Sequence, residues 1–318
     1  MNKNVLSICD LSREQIISVI DVANYLKNPL NTPGSKTPIL RGKILGMIFQ
    51  KPSTRTRISF ETAILQLGGN AINLAYSDLQ MSRGESMEDT ARTLSLYLDC
   101  IVARVYAHGD LEKLSLHSNI PVINGLSDLF HPCQILSDLM TIYEYKKKLD
   151  GITLAFVGDG NNICNDLLLG CSKLGINVKI STPPGFEPLN WVINTAIEES
   201  KKNGSYVLIT NDPVEAVKEA DIVTTDTFIS IGKEDEKEKR DTIFLPLYQV
   251  NENLIKNAKK DFIFMHCLPA KRGKEVTSEI IDGPHSVVWA EAENRLHVQK
   301  ALLIKLLNPE FNYREFLF

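Results

Sequence analysis

Long apolar runs are missing from this chain of 318 residues. No stretch of about 18 or more apolar residues occurs, which excludes a membrane-spanning helix. The opening MNKNVLSICDLSREQ has neither the apolar core of a signal peptide nor the acid-poor, Arg- and Ser-rich composition of a transit peptide. The six cysteines show no CxxC pairing and are too sparse for a disulfide-stapled secreted fold. We therefore expect a cytoplasmic protein with reduced thiols and no cysteine-bound metal.

A strong net charge is missing as well. The formal net charge is -4 at pH 7, and charged residues make up 23% of the chain. This balance gives no electrostatic reason to expect nucleic acid or an anionic membrane as a partner. Any site for a phosphate group must then be built locally.

Two domains are expected, because the chain exceeds the ~100–200 residues of a typical single domain. In both halves, short β-branched runs alternate with longer amphipathic helical patterns. The strand-like runs are KILGMIF, NAINLAY, IVARVY, PVING, ITLAFVG, NVKIST, YVLIT, DIVTTD and FIFMHC. This alternation predicts an α/β protein with two doubly wound domains, each a mainly parallel sheet flanked by helices, joined by interdomain helices. We place the domains at residues 1–135, with a returning helix at 290–318, and at residues 150–288.

Two stretches look less informative about chemistry. The charge-dense GKEDEKEKRD, residues 232–241, predicts a solvated, mobile loop without a direct chemical role. VGDGNN, residues 157–162, follows a strand but lacks the three-glycine spacing of a dinucleotide loop. The next strand, NVKIST, also lacks the acid that would hold a ribose. A nicotinamide-dependent dehydrogenase is therefore disfavoured.

Positive charge and hydroxyl groups are concentrated in STRTR, residues 53–57, where a strand is expected to turn into a helix. The N–H groups and dipole of a helix N-terminus form an anion site. Arginine forks and hydroxyls suit a phosphate. Because basic side chains in a first helical turn oppose the dipole, a merely solvated basic turn explains this stretch less well than a phosphate site.

Two further motifs carry reactive side chains. HPCQ, residues 131–134, opens a helix with Pro132 at a suitable first position. FMHCLPA, residues 264–270, places His266 and Cys267 just beyond a strand, at the edge where open α/β sheets bind ligands. Taken singly, such residues are more often a capping histidine and an inert thiol in a turn than reactive groups.

Together, STRTR, HPCQ and HCLPA resemble the ornithine carbamoyltransferases in order and spacing, from about Leu11 to the last helix. STRTR and HPxQ are shared with aspartate carbamoyltransferases, whereas HCLP and DTFISIG, residues 226–232, are the ornithine-type elements. That family usually has D-x-x-x-S-M-G here, so Ile231 replaces a methionine. The Pro-Leu-Pro-Arg segment and the loop lysine of the aspartate-type enzymes are not present in the corresponding stretches.

The resemblance implies transfer of a carbamoyl group from carbamoyl phosphate to the δ-amine of L-ornithine, giving L-citrulline and phosphate. No cofactor or metal is implied, because phosphate is a good leaving group and cationic donors can stabilise an oxyanion. The residues assigned to carbamoyl phosphate are Ser53, Thr54, Arg55, Thr56, Gln80, Arg104, His131, Gln134 and Arg295. Those assigned to ornithine are Asn162, Asp226, Ser230, Ile231, Cys267 and Leu268. The catalytic roles fall to Arg104, His131, Cys267 and Asp226.

The same resemblance implies a homotrimer, or an assembly of trimers, in which the loop around Gln80 enters a neighbour's site, with small-molecule substrates as the only other partners. It implies a cis peptide between Leu268 and Pro269 and a Cys267, as thiol or thiolate, that orients the amine without forming a covalent intermediate. Two alternatives stay open, a carbamoyltransferase for another amine such as putrescine or an acylated ornithine, and a catalytically silent paralogue. A role in arginine biosynthesis or in arginine breakdown is equally compatible with these residues.

Overall fold

The computed structural model describes residues 3–28, 38–229, 232–312 and 314. The strands are β1 (Ile44–Phe49), β2 (Asn70–Ala75), β3 (Cys100–Arg104), β4 (Val122–Leu126), β5 (Thr153–Val157), β6 (Asn177–Ser181), β7 (Val207–Thr210), β8 (Ile222–Thr225) and β9 (Ile263–His266). The helices are α1 (Arg13–Lys27), α2 (Thr54–Gln66), α3 (Met87–Leu94), α4 (His108–His117), α5 (Pro132–Lys146), α6 (Asn162–Lys173), α7 (Asn190–Lys202), α8 (Pro213–Val217), α9 (Lys237–Phe244), α10 (Glu252–Ile255), α11 (Ser278–Ile281) and α12 (Val288–Leu307). Within these ranges, no helix is long and apolar enough to cross a bilayer.

The chain forms two compact units. Unit 1 comprises Met1–Leu136 and Glu293–Phe318, and unit 2 comprises Ser137–Ala292. The two divisions fall inside α5 and α12, so these helices connect the units along the chain. Each unit contains one parallel sheet flanked by helices, which confirms the predicted fold class.

The sheet of unit 1 has the strand order β2-β1-β3-β4, and its paired strands run parallel. The chain leaves β1 toward one side of the sheet and later returns to the other side with β3. This reversal between β1 and β3 is a topological switch point, where the loops after the two strands diverge and leave a crevice. Phe49 and Arg104, the last residues of these strands, are register partners. The STRTR turn therefore begins beside Arg104.

The sheet of unit 2 has the order β7-β6-β5-β8-β9, again with parallel pairs. Its order reverses between β5 and β8, so its switch point lies between the loops that begin at Gly158 and Asp226. The strand β5 is buried along its whole length. Its apolar run is typical of a parallel strand covered on both faces. All nine strands predicted from the sequence are present.

The prediction of a loop over residues 232–241 is wrong. A 3-10 turn at Glu234–Glu236 leads into the helix α9, and two side chains of that helix, Arg240 and Phe244, are buried. They lie four residues apart and so share one face of the helix. Phe244 stacks on Phe228 with ring centroids 4.7 Å apart. The charged stretch does not reveal this buried face, because the apolar residues that complete the face come after the charged run.

Candidate active site

The first group of site residues surrounds the N-terminus of α2 in unit 1. Ser53 occupies the N-cap position in an extended conformation, yet its side chain makes no capping hydrogen bond. Its Oγ instead accepts a hydrogen bond of 3.2 Å from Nη1 of Arg104, at the end of β3. The first turn of α2 contains no acidic residue. The helix N-terminus thus remains suited to an external anion.

Arg295 links three helical segments of unit 1. It is buried in α12 and donates from Nη1 to Oε1 of Gln134, at the start of α5. Its Nη2 donates to Oγ1 of Thr56, in the first turn of α2, over 3.0 Å. Gln134 and Thr56 are buried too. Residues from distant parts of the sequence are therefore held in one polar cluster.

His131 lies in a positive electrostatic field. Burial, together with the guanidinium groups of Arg295, Arg104 and Arg55, lowers the pKa of His131 well below its ordinary value. The imidazole is therefore neutral at physiological pH, and one ring nitrogen carries a hydrogen that can be donated. A field that keeps a histidine neutral also favours a bound dianion.

Gln80 is placed differently from the other candidates. It is exposed at the start of a 3-10 turn, Gln80–Arg83. Beside the N-terminus of α2, unit 1 also has an open groove of about 760 Å³. Pro52, Ser53, Thr54 and Tyr76 are among the residues that line it. The prediction that Gln80 lies in an exposed connection is confirmed.

The second group of site residues lies at the switch point of unit 2, around the buried carboxylate of Asp226. Its Oδ2 accepts a 2.7 Å hydrogen bond from Nδ2 of Asn161. Its Oδ1 accepts from the N–H of Thr227 over 2.7 Å and from the thiol of Cys267 over 3.2 Å. The loops after β5, β8 and β9 thus converge on one acid.

Cys267 is held as a thiol. Burial and the carboxylates of Asp226 and Glu291 raise the pKa of Cys267 well above its ordinary value. Deprotonation would place a thiolate 3.2 Å from the Asp226 carboxylate. Of the two protonation states considered from the sequence, the geometry supports the thiol.

The turn after β9 is organised by buried polar contacts. The N–H of His266 donates to Oε2 of Glu291 over 2.9 Å, and the N–H of Leu268 donates to Nδ1 of His266 over 2.9 Å. Because Nδ1 of His266 accepts this hydrogen bond, the ring hydrogen is on Nε2, which lies 3.5 Å from Oε1 of buried Glu275. Leu268 has a φ of 56°, a left-handed conformation that is uncommon for leucine. The peptide between Leu268 and Pro269 is cis, as the resemblance implied.

Three side chains of this turn could be mistaken for a metal site. The ligand atoms of Asp226, His266 and Cys267 lie within 4.8 Å of one another. However, Nδ1 of His266 accepts from Leu268, and the Cys267 thiol donates to Asp226. Hydrogen bonding within the protein explains this arrangement.

The remaining ornithine candidates are only partly described. Asn162 is buried in the first turn of α6. Ser230 and Ile231 lie outside the described residues, so their predicted roles stay predictions. Sequence reasoning missed Asn161, Glu275 and Glu291. Asn161 could have been suspected from its place beside Asn162 after a strand, whereas the two glutamates give no local signal.

The comparisons with known proteins match both halves of the chain. The family model described as aspartate/ornithine carbamoyltransferase, carbamoyl-P binding domain, matches residues 3–144. The model described as the Asp/Orn binding domain of the same family matches residues 150–306. The chain belongs to the aspartate/ornithine carbamoyltransferase family. The carbamoyl-P model spans Thr56, Arg104 and Gln134, and the Asp/Orn model spans Asp226, Cys267 and also Arg295.

Similarity to individual members of the aspartate/ornithine carbamoyltransferase family extends over nearly the whole chain. The ornithine carbamoyltransferase of Carboxydothermus hydrogenoformans is 52% identical over 96% of this chain and 97% of its own length. That of Pyrococcus horikoshii is 51% identical over 96% of each chain. The solved ornithine carbamoyltransferase structure from Pyrococcus furiosus superposes with a TM-score of 0.92 at 49% identity, covering 98% of both chains.

Because the folded protein holds His131 neutral, we expect its stability to fall as the pH falls below about 6.5. The unfolded chain then binds a proton that the folded chain does not, so the free energy of unfolding decreases by up to about 1.4 kcal/mol per pH unit for this group. In calorimetric melting, the melting temperature should drop less between about pH 7.5 and 5.5 for His131→Asn than for the unsubstituted protein. His117→Gln, at the solvent-facing C-terminal end of α4, is the control. Equal drops for both variants would contradict this role of His131.

Proposed function

We propose that this chain transfers the carbamoyl group of carbamoyl phosphate to the δ-amine of L-ornithine, giving L-citrulline and phosphate. The observation that carries the proposal is the pairing of Asp226 with the Cys267 thiol at a switch point, in a chain whose other sheet has an arginine-rich anion site at its own switch point. An acid suits a diamine substrate, and arginines suit a phosphate. The overall similarity to ornithine carbamoyltransferases supports the same assignment.

Carbamoyl phosphate binds at the N-terminus of α2. Ser53, Thr54, Arg55 and Thr56 hold its phosphate through hydroxyls, a guanidinium and helix N–H groups. The other groups proposed to contact carbamoyl phosphate are Gln80, Arg104, His131, Gln134 and Arg295. Gln134, oriented by Arg295, binds the carbamoyl NH₂.

The reaction is a direct attack of the neutral amine on the carbamoyl carbon. A C–N bond forms, negative charge develops on the carbonyl oxygen, and the C–O bond to phosphate then breaks while the nitrogen passes a proton to the departing phosphate. Arg104, Thr56 and neutral His131 donate hydrogen bonds to the developing oxyanion. Preorganised donors of this kind act in a site where little rearrangement is needed.

Ornithine binds at the switch point of unit 2. Asn162 and the backbone N–H of Ile231 receive its α-carboxylate, and Asp226 and Ser230 accept hydrogen bonds from its amino groups. The Cys267 thiol and the carbonyl of Leu268 lie on the side of the δ-amine. Asp226 is already oriented by three donors, so it needs little reorganisation to accept a ligand ammonium.

Citrulline formation tests this proposal. The purified protein is incubated with carbamoyl phosphate and, separately, with L-ornithine, putrescine or an N-acylated ornithine, and the ureido product is measured colorimetrically. The expected result is product with L-ornithine far above the other amines. A preference for putrescine or an acylated ornithine would replace ornithine as the substrate, and no product with any amine would favour a silent paralogue.

Two broader features belong to the same proposal. We propose a homotrimer in which Gln80 of one subunit completes the site of another, and a cytoplasmic location consistent with cysteines that form no disulfide among the described residues. The biological role is arginine biosynthesis or arginine breakdown. One solved relative, from Campylobacter jejuni, is an anabolic ornithine carbamoyltransferase.

Replacing Cys267 tests its role as a thiol donor. We expect Cys267→Ser to lower turnover without abolishing it, because a serine hydroxyl can still donate to Asp226. The turnover of Cys267→Ala should be about 5–10-fold lower than that of Cys267→Ser, since the buried carboxylate then lacks one donor. The pH dependence below the ordinary thiol pKa of about 8.5 should be the same for Cys267→Ser and the unsubstituted protein. A carbamoylated Cys267 detected by mass spectrometry during turnover would contradict this role.

A further inference from the structure

Arg240 is a buried cation within the charged stretch that precedes and forms α9. Its Nη1 donates to Oδ2 of Asp159 over 2.7 Å and to the carbonyl oxygen of Phe228 over 2.9 Å. Its Nε donates to Oε2 of Glu236 over 2.9 Å. Its guanidinium carbon lies 5.1 Å from the ring centroid of Phe186, a cation–π distance. One side chain therefore contacts four separate groups.

Three of these contacts belong to loops at the carboxyl edge of the second sheet. Asp159 follows β5, Phe186 follows β6, and Phe228 follows β8. The first of these loops leads to Asn161 and Asn162, and the third begins at Asp226. Arg240 thus joins the same loops that carry the proposed ornithine ligands, although it is not itself among those ligands.

The loop after β5 packs closely against the segment after β6. A Cβ atom on Gly160 would lie 2.4 Å from the backbone carbon of Glu187, so the loop packs directly against the segment after β6. The N–H of Gly160 donates to the carbonyl oxygen of Phe186 over 2.8 Å. Arg240 stacks on the ring of that same Phe186. A shift of Arg240 is therefore transmitted to both loops.

The ion pair between Arg240 and Asp159 differs from a surface salt bridge. Both side chains are less than a tenth exposed. Burial opposes the charge on Arg240, but the carboxylates of Asp159 and Glu236 raise its pKa above the ordinary value. A buried pair of this kind adds little net stability compared with apolar packing, whereas removing one partner leaves an uncompensated charge. The ion pair therefore serves to hold these loops in position rather than to add stability.

We infer that Arg240 is a positioning residue for the amino-acid half of the site, fixing the loops at residues 158–162 and 226–229 in the arrangement that receives ornithine. This inference rests on the proposed function. A second link between the same two loops is the hydrogen bond from Asn161 to Asp226. Loss of Arg240 therefore loosens both loops around Asp226 and leaves the arginine cluster of unit 1 with all its own contacts.

Kinetics with two substitutions separate positioning from simple structural support. In citrulline formation, Arg240→Met should raise the KM for ornithine by about tenfold or more, because an orienting buried charge is lost. The affinity for carbamoyl phosphate, measured by calorimetry, should stay within about twofold. Arg240→Lys keeps the charge but lacks the planar fork. Its ornithine KM should therefore fall between those of the unsubstituted protein and Arg240→Met.

Arg272→Met is the matched control. Arg272 is the other arginine of unit 2, and it forms a bidentate pair with Asp282, with hydrogen bonds of 3.0 and 2.7 Å. Both side chains of this pair are substantially exposed. The Arg272→Met substitution should lower the melting temperature only slightly, because surface pairs contribute little stability, and it should leave the ornithine KM unchanged. An equal ornithine KM in Arg240→Met and Arg272→Met would overturn the inference.

A double substitution identifies the partner. If Arg240 acts through Asp159, the Asp159→Asn/Arg240→Met protein should have an ornithine KM close to that of Arg240→Met alone, since the two residues act as one unit. Additive losses would show that Arg240 does not work through Asp159, and would overturn this arrangement of the loops.

Hydrogen exchange tests the inference without any substrate. Amides in residues 158–162 and 226–229 should exchange faster in Arg240→Met than in Arg272→Met, because the loops lose a shared contact. Unchanged exchange there would overturn the inference even if citrulline is made. If the unsubstituted protein makes no citrulline, the proposed function is wrong, and the exchange rates still decide whether Arg240 orders these loops.

Discussion

Arg295→Met is expected to remove most of the activity by disorganising the carbamoyl phosphate site. The guanidinium orients Gln134 and Thr56 at once, and both are buried, so neither can be reoriented by solvent. We expect kcat to fall by about 10²–10³-fold, the usual effect of losing one preorganised donor group. Carbamoyl phosphate affinity should fall by about tenfold or more, since charge-assisted hydrogen bonds are among the stronger ones.

Two variants make this result specific. Arg295→Lys keeps the charge, but a single ammonium does not reproduce the fork that reaches Gln134 and Thr56 together, so its activity should stay closer to that of Arg295→Met than to that of the unsubstituted protein. Arg92→Met removes an exposed arginine of unit 1 whose partner is Asp89 on the same helix, and it should be neutral. Calorimetry and steady-state kinetics are the measurements. Unchanged carbamoyl phosphate affinity in Arg295→Met would contradict the assignment.

The sequence predicts the sheets well because each strand is a short apolar run with its signal contained in a few neighbouring residues. It also locates STRTR at the N-terminus of α2, since a strand end and a helix start are both local features. Arg295 was harder to place. Its partner Thr56 lies 239 positions away, and only resemblance to a family suggested that the two meet.

The structure corrects the sequence reading where burial depends on distant partners. Arg240 stands in a run of charges that is typical of a solvated loop, yet Asp159, 81 positions earlier, and Phe228 draw it into the interior. The protonation of Cys267 likewise follows from Asp226, 41 positions away, and from Glu291. Local composition cannot predict such contacts, because the energy that stabilises a buried charge comes from its partners.

Replacing Gln80 is the second change expected to lower the activity strongly, because the position of Gln80 fits a site completed by a neighbouring subunit. Gln80 is exposed in the connection between β2 and α3, where a side chain can reach another molecule. The groove of about 760 Å³ beside Ser53 and Thr54 is open next to the proposed phosphate site. A subunit that inserts its loop there would add a donor to the phosphate and exclude water.

Mixing two inactive proteins tests this idea. Arg55→Ala lacks a proposed phosphate ligand on its own chain, and Gln80→Ala lacks the group it would lend to a neighbour. After dissociation and reassembly of an equal mixture, a site is complete when a Gln80→Ala chain receives its loop from an Arg55→Ala chain. In a ring where each site takes a loop from one neighbour, about a quarter of the sites are then complete. We therefore expect about a quarter of the unsubstituted activity.

A matched mixture excludes trivial explanations for the recovery. Arg55→Ala mixed with Arg104→Met should stay inactive, because both defects lie in the same unit of a chain and every site lacks one of the two arginines. Subunit exchange is verified with chains of different mass tags in native mass spectrometry. If Gln80→Ala is severely impaired and its mixture with Arg55→Ala stays as inactive as the matched mixture, then Gln80 acts within its own chain, and each subunit forms its phosphate site without a neighbour.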